Sequence, residues 1–220
     1  MGISKYFTRD HVSLFGWIKY QPDDYLSFLI DLLRPKKTEL ILDDGSGNGR
    51  FSIAMAKKGA SIILLDINKR ILRTAVDGLA QNKLADNAQA VHGDIQHLPF
   101  RSNTFDKVLC VHNLWYVPDY NSAVREMLRT LGVGGEVVID HLNILNWRLL
   151  VNRLVNFASG ILRRNPAPIF YRTPRTILRP FREFRFEVWN LVSSKGKSLV
   201  AKGESSWSMR LIVKCQKSPS

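Results

Sequence analysis

Leu40-Ile41-Leu42-Asp43-Asp44-Gly45-Ser46-Gly47-Asn48-Gly49-Arg50 is the stretch that decides how this chain is read: an apolar run ends in two carboxylates and then in three alternating glycines. Leu40 to Leu42 have the character of a short buried strand. Phe51, Ala54 and Met55 open an apolar stripe at helical spacing, so the glycines form a strand-to-helix turn. Glycine suits such a turn because it takes positive φ freely and has no Cβ to hold a ligand away from the backbone. A dinucleotide-binding turn would place its third glycine at position 50, where Arg50 stands, and the G-x-x-x-x-G-K pattern of a phosphate loop is absent.

Downstream, Ser61 to Leu65 read as a second strand that ends at Asp66, 21 positions after Gly45. A carboxylate there can accept both ribose hydroxyls of an adenosine cofactor. Reading Asp66 only as an acid that opens the next helix, before Asn68 and Lys69, explains the residue type but not the spacing. Ile71, Leu72, Ala75, Val76 and Leu79 line one face of that helix. Phe105 to Val111 read as a further strand, with His112-Asn113-Leu114-Trp115-Tyr116 at its carboxyl end. A helix through Ala123, Met127 and Leu128 leads to the turn Leu131-Gly132-Val133-Gly134-Gly135, and the strand Val137 to Ile139 delivers Asp140 and His141. Phe186 to Val192 and Ser208 to Val213 read as the last two strands, joined by a polar loop around Gly196 and Gly203. Alternating strands and helices predict an α/β domain with the glycine turn at the carboxyl edge of its sheet, where ligands bind.

The acid-x-Gly-x-Gly-x-Gly spacing resembles the first motif of the class I S-adenosylmethionine-dependent methyltransferases. Ala90-Val91-His92-Gly93-Asp94-Ile95 resembles a later motif of that family, and Phe105 to Val111 its fourth strand. The resemblance covers residues 38 to 141 well and the last strands loosely. It implies a Rossmann-like, seven-stranded, mostly parallel sheet with helices on both faces, and S-adenosyl-L-methionine as cofactor. By the same analogy Asp43 faces the methionine amino group, and Gly45, Ser46, Gly47 and Gly49 let the backbone pass close to the cofactor. Asp66 and Ile67 meet the ribose, Asp94 and Ile95 the adenine, and His112 the cofactor from the fourth strand. A turn-capping aspartate is the less favoured alternative for Asp94. The chain departs from the family where Asp44 replaces an aliphatic residue, and where Gly132 and Val133 replace a basic residue and a proline. Trp115 and Tyr116 stand where relatives often carry histidines.

A methyl group on a sulfonium is already activated, so the protein must mainly hold an acceptor in line with it and remove a proton where the acceptor carries one. His141 is the first candidate base and His112 the second, since both follow strands at the ligand edge and imidazole titrates near neutral pH. A hydrogen-bonded structural histidine is the competing reading of each. Tyr20 and Tyr25, in a helical cap over residues 1 to 37, and Trp115 and Tyr116 are candidate acceptor contacts, with core packing as the alternative. No metal site is expected, because Asp140 and His141 are adjacent and no third ligand stands at a telling spacing.

The chain has 220 residues, 45% of them hydrophobic, enough for the interior of one domain spanning residues 1 to 220. Its formal charge of +13 is unevenly placed: 17 basic and 16 acidic residues precede position 142, against 15 and 3 after it. Such asymmetry points to nucleic acid, anionic lipid or an anionic substrate, or simply to a solvated basic surface. The absence of an N-P-P-Y pattern speaks against nucleic-acid bases as acceptors. Residues 142 to 180 read as an insertion after the fifth strand, and 181 to 220 carry the last strands. Within the insertion, residues 147 to 164 predict a helix with Trp147, Leu150, Leu154, Phe157 and Ile161 on one face and Arg148, Arg153, Arg163 and Arg164 on the other. That helix either roofs the acceptor pocket or lies on an anionic membrane surface. Cys110 and Cys215 fit buried, reduced thiols, and no apolar run reaches the roughly 18 residues of a membrane span. The expectation is a cytoplasmic enzyme, with peripheral membrane contact, that methylates a small-molecule or lipid-like acceptor. An RNA or protein methyltransferase using the basic C-terminal part, and a non-catalytic cofactor-binding module, are the alternatives.

Overall fold

Strands covered on both faces need apolar residues at successive positions, and Leu40-Ile41-Leu42 and Ile62-Ile63-Leu64-Leu65 supply them. The computed structural model describes residues 23–145, 169–194, 197–202 and 210–218. Its elements run α1 (Asp23–Leu33), β1 (Leu40–Asp44), α2 (Arg50–Ala56), β2 (Ser61–Asp66), α3 (Lys69–Gln81), β3 (Ala88–His92), β4 (Phe105–Cys110), α4 (Tyr120–Thr130) and β5 (Leu131–Leu142). After these come α5 (Pro174–Leu178), β6 (Arg185–Ser194), β7 (Lys197–Lys202) and β8 (Arg210–Gln216). The sheet order is β3-β2-β1-β4-β5-β8-β6-β7. Strands β1 to β5 pair in parallel, while β8 is antiparallel to both β5 and β6, and β7 is antiparallel to β6.

The sheet thus has eight strands, one more than expected. The extra strand, β7, lies where a polar loop was expected, and its backbone pairs with β6 from Trp189 opposite Lys202 to Ser194 opposite Lys197. A lysine at each end is typical of an edge strand, and the apolar run between them, Leu199 to Ala201, is too short to stand out as a strand. The glycine-rich stretch after α4 also differs from expectation, since it is built into β5 as an irregularity. Leu131 pairs with Phe105 and Glu136 with Lys107, so residues 132 to 135 bulge out between two adjacent registers.

Side chains alternate across β1 and set the two halves of the interior. Ile41 packs with α1, α2 and α3, among Leu29, Leu33, Met55 and Ala75. Leu42 packs on the other side with Val124 and Met127 of α4 and Ile177 of α5. The segment expected as a helical cap therefore behaves differently in its described part: Tyr25, Leu29, Ile30 and Leu33 bury α1 against the sheet face that also carries α2 and α3. Its last turn is closed by Lys107, which donates from Nζ to the carbonyls of Leu33 and Arg34, each at 2.7 Å. Tyr20 and the helix expected over 147 to 164 lie outside the described residues.

Candidate functional site

All three glycines of the turn after β1 have positive φ: +81° at Gly45, +56° at Gly47 and +77° at Gly49. They do different work. A Cβ on Gly45 would run into the Asn113 side chain beyond β4, whereas a Cβ on Gly47 would meet nothing within 4 Å, so the backbone there borders open space. Gly49 begins α2, and a Cβ on it would come within 2.8 Å of Ala75 in α3. The third glycine serves helix packing and does not line the cleft. The amides of Gly45 and Ser46 both donate to the Leu65 carbonyl, at 2.8 and 2.9 Å, which ties the turn to β2.

Alternation along β1 sends its two terminal acids to opposite faces of the sheet. Asp43 accepts hydrogen bonds from the hydroxyl and the amide of Ser52 in α2, and burial pushes its carboxyl up to about 7. The carboxylate expected at the methionine amino group is thus turned onto α2 and is absent from the cleft lining. Asp44 is fully buried with no partner for either oxygen, and burial, together with Asp43, Asp66 and Asp94, holds its carboxyl well above the usual range. Such surroundings disfavour its ionised form. Ser46, also buried, keeps an unpartnered Oγ and does not line the cleft.

Asp66, at the end of β2, is held from two sides. The amide of Gly47 donates to Oδ2 at 2.9 Å and that of Asn68 to Oδ1 at 2.8 Å. Burial raises this carboxyl, and those two backbone donors pull it back. The Ile67 amide is a further donor, and a carboxylate with about four acceptor sites still has room for a ligand hydroxyl. Asp94 accepts the amide of Gln96 at 2.9 Å and stays partly exposed. One cleft is lined by Gly45, Gly47, Asp66, Ile67, Asp94, Ile95, His112 and Tyr116 of the predicted residues. Asn113 and Val117 join them. Their place after β4 was visible in the sequence, but not that Asn113 crowds Gly45.

Neither candidate base offers a free lone pair. His141 is fully buried, with Nδ1 against the Leu142 carbonyl at 2.9 Å and Nε2 against Nη1 of Arg172 at 3.0 Å. A guanidinium can only donate, so Nε2 carries the lone pair and Nδ1 the proton. Burial brings this imidazole down to about 3, and Arg172 adds to the effect. It lies outside the cleft lining, which corrects its assignment as first candidate base. His112 does line the cleft, but its Nε2 meets Nη1 of Arg210. Burial, then Arg210 and Arg50, hold it well below the ordinary histidine range. Its backbone has φ +62°, and its amide donates to Asp140 Oδ1 at 2.7 Å.

Around His112 gathers a cluster that sequence reasoning did not find. Tyr25 stacks on the imidazole, 5.5 Å between centroids and 3° from parallel, and donates its hydroxyl to Asp140 Oδ2 at 2.7 Å. Trp115 lies 5.7 Å from the same imidazole. Both aromatic residues are buried outside the cleft lining, so among the described residues only Tyr116 of the expected acceptor contacts reaches the cleft. Arg210 joins from β8, a strand distant in sequence whose basic residue resembled many others in the C-terminal part.

Residues 42–139 match the family model described as "Methyltransferase domain". This span, a little under half of the chain, is similar to the methyltransferase domains that use S-adenosylmethionine. The matched span contains the glycine turn and the carboxylates of the cleft. Its curated relatives include a ubiquinone/menaquinone biosynthesis C-methyltransferase of Idiomarina loihiensis, 33% identical over 143 residues, covering 62% of this chain and 54% of that protein. A demethylmenaquinone methyltransferase of Listeria monocytogenes serotype 4a is 33% identical over 136 residues, covering 59% and 57%. The chain thus spans little more than half the length of these relatives. Among solved structures, a SAM-dependent methyltransferase from Thermotoga maritima aligns over 98% of this chain and all of its own, with a TM-score of 0.70 and 19% identity, a likeness of fold.

The cleft fits S-adenosylmethionine at the positions that demand most of the backbone. Gly47 leaves open a cradle that a Cβ would fill, and Asp66 presents a fixed carboxylate beside it.

Proposed function

We propose that this chain transfers a methyl group from S-adenosylmethionine to a small, lipid-like acceptor of the hydroxy-aromatic or quinol kind. The cofactor supplies an electrophilic methyl on sulfur. Asp66 holds the ribose hydroxyls, Asp94 and the Ile95 amide the adenine, and the turn from Gly45 to Gly47 the methionine end. Acceptor contacts come from Tyr116 and the aromatic group behind it. The observation that carries this reading is the Asp66 carboxylate, pinned by the Gly47 amide directly beneath the glycine turn. The ubiquinone/menaquinone biosynthesis C-methyltransferase and demethylmenaquinone methyltransferase relatives support the choice of acceptor class. They also favour it over an RNA or protein acceptor and over a non-catalytic module. Radiolabelled S-adenosylmethionine and a reduced alkyl-naphthoquinone, incubated with the protein, should give labelled, organic-soluble product. Binding of S-adenosylhomocysteine with no transfer to any such acceptor would leave only the binding module.

A peripheral contact with anionic membrane belongs to the same reading. Arg175, Arg179, Arg182 and Arg185 are exposed on and after α5, and Leu145, 47% exposed, borders the groove lined by Arg175 and Arg182. Each basic residue adds about 1 kcal/mol near an anionic surface. Among the described residues no helix is long and apolar enough to cross a membrane. Sedimentation with anionic and neutral vesicles tests the contact: salt-sensitive pelleting with the anionic kind alone is expected, and protein left in the supernatant with both kinds refutes it.

A further inference from the structure

Arg210 is a buried cation whose bonds leave part of it unused. It opens β8 opposite Leu142, at the carboxyl end of β5, and is only 4% exposed. The rings of Trp115 and Tyr25 lie 5.2 and 5.7 Å from its Cζ. Its Nη1 reaches His112 Nε2 and, at 3.2 Å, Asp140 Oδ2, and the guanidinium also bonds the Tyr25 hydroxyl. Nε is buried with no partner. Asp140 is meanwhile shared with the Tyr25 hydroxyl and the His112 amide. The ion pair is therefore a single contact, unlike the two parallel bonds by which arginine and carboxylate satisfy each other. A buried N–H without an acceptor is costly in a finished structure, and is accounted for if an acceptor arrives with a ligand.

The position of Arg210 along the sheet edge says which ligand. Asp66 follows β2 and Asp94 follows β3, so the adenosine side lies at that end of the edge. The glycine turn follows β1, His112 follows β4, and Arg210 starts β8 beyond β5. Arg210 thus adjoins the cleft through His112 on the side away from the adenosine carboxylates. We propose that Arg210 is the oxyanion receptor for the methyl acceptor, holding a hydroxyl of a planar aromatic molecule in its ionised form. The O–H bond breaks with its electron pair left on oxygen, and the proton passes to water. The guanidinium then accommodates the oxyanion, and Tyr116 in the cleft wall offers the ring an apolar face. No side-chain base is required, in keeping with the occupied lone pairs of His112 and His141. This inference rests on the proposed acceptor-methylating function and names the chemical feature by which that acceptor is selected.

The test uses 1-naphthol, whose neutral and ionised forms differ in absorbance, and 1-methoxynaphthalene, which cannot ionise, with protein saturated by S-adenosylhomocysteine. Bound 1-naphthol should ionise about one pH unit or more below its value in buffer, and the ether should bind about tenfold more weakly or worse. Arg210→Gln should abolish the shift while leaving S-adenosylhomocysteine affinity within about threefold, and Arg210→Lys should keep part of the shift. Unshifted ionisation in the wild type, or equal binding of naphthol and ether, overturns the role of Arg210. If Arg210→Gln does not fold, the two ligands on the wild type decide alone. Failure to bind S-adenosylhomocysteine would instead overturn the underlying methyltransferase reading.

Discussion

Arg172 donates from Nη1 to Nε2 of His141 at 3.0 Å, and this contact fixes the tautomer of a histidine buried between β5 and the chain before α5. The imidazole should stay neutral, protonated at Nδ1, across the physiological range. Nitrogen NMR of the histidine side chains checks this: His141 should show no titration step near its ordinary value of 6.5, protonating only as pH falls toward about 3.

His141 and Asp43 act on stability in opposite directions over nearly the same pH window. The folded pKa of His141 is lowered, so its contribution is complete above 6.5 and is lost as pH falls toward about 3. That of Asp43 is raised from 3.8 to about 7, so its contribution is complete below 3.8 and is lost as pH rises through about 7. In Asp43→Asn the second slope disappears while the bond from Ser52 can still be accepted. Compared with wild type, the variant should lose about 1.4 kcal/mol more per pH unit on acidification between those limits. Urea unfolding at several pH values measures the difference, and parallel curves would contradict it.

Asp44→Val should stabilise the protein. The carboxyl is buried and without a partner, and valine places a small apolar side chain there without the unmet polar demand. Removing an unsatisfied buried group is worth about 1–3 kcal/mol, which thermal unfolding would register as a higher Tm. A lower Tm would mean that Asp44 has a partner in the folded protein.

Asp66→Ala should weaken S-adenosylhomocysteine binding about tenfold or more, because charge-assisted bonds of about 1.5–3 kcal/mol each are removed. It also strips the amides of Gly47 and Asn68 of their acceptor, so the turn itself should loosen. Isothermal calorimetry reads the affinity. Hydrogen exchange at Gly47 separates the two effects.

Gly45→Ala tests the turn from the other side. Its φ of +81° costs an alanine about 1–2 kcal/mol, and the new methyl would displace Asn113 from the cleft wall. Cofactor affinity should drop with stability, whereas Gly49→Ala, which crowds Ala75 between α2 and α3, should act mainly through stability. Calorimetry and thermal unfolding on both variants distinguish them.

The local and periodic features were open to reading in the chain itself. The glycine turn, the strand ending at Asp66 and the strand leading to His112 are each encoded within a few neighbouring residues, by backbone freedom and by apolar runs. Asp66 could be singled out because a fixed number of residues makes one strand–turn–helix–strand unit. β7 was missed, since an edge strand takes its stability from pairing with β6 and its apolar run is too short to announce it.

What the tertiary structure alone decided is what each side chain meets. Arg210 reaches His112 across 98 positions, Arg172 reaches His141 across 31, and Tyr25 reaches Asp140 across 115. No local pattern marks these pairs, because they form only when β8, α1 and the chain before α5 converge on the ends of β4 and β5. The chain by itself determined the class of fold, the glycine turn and the carboxylate beneath it. That two histidines at the ligand edge have their lone pairs taken by arginines, and that one of those arginines is left partly unmatched, followed from packing. Hydrogen-bond capacity is a property of the residue, but who uses it is a property of the fold.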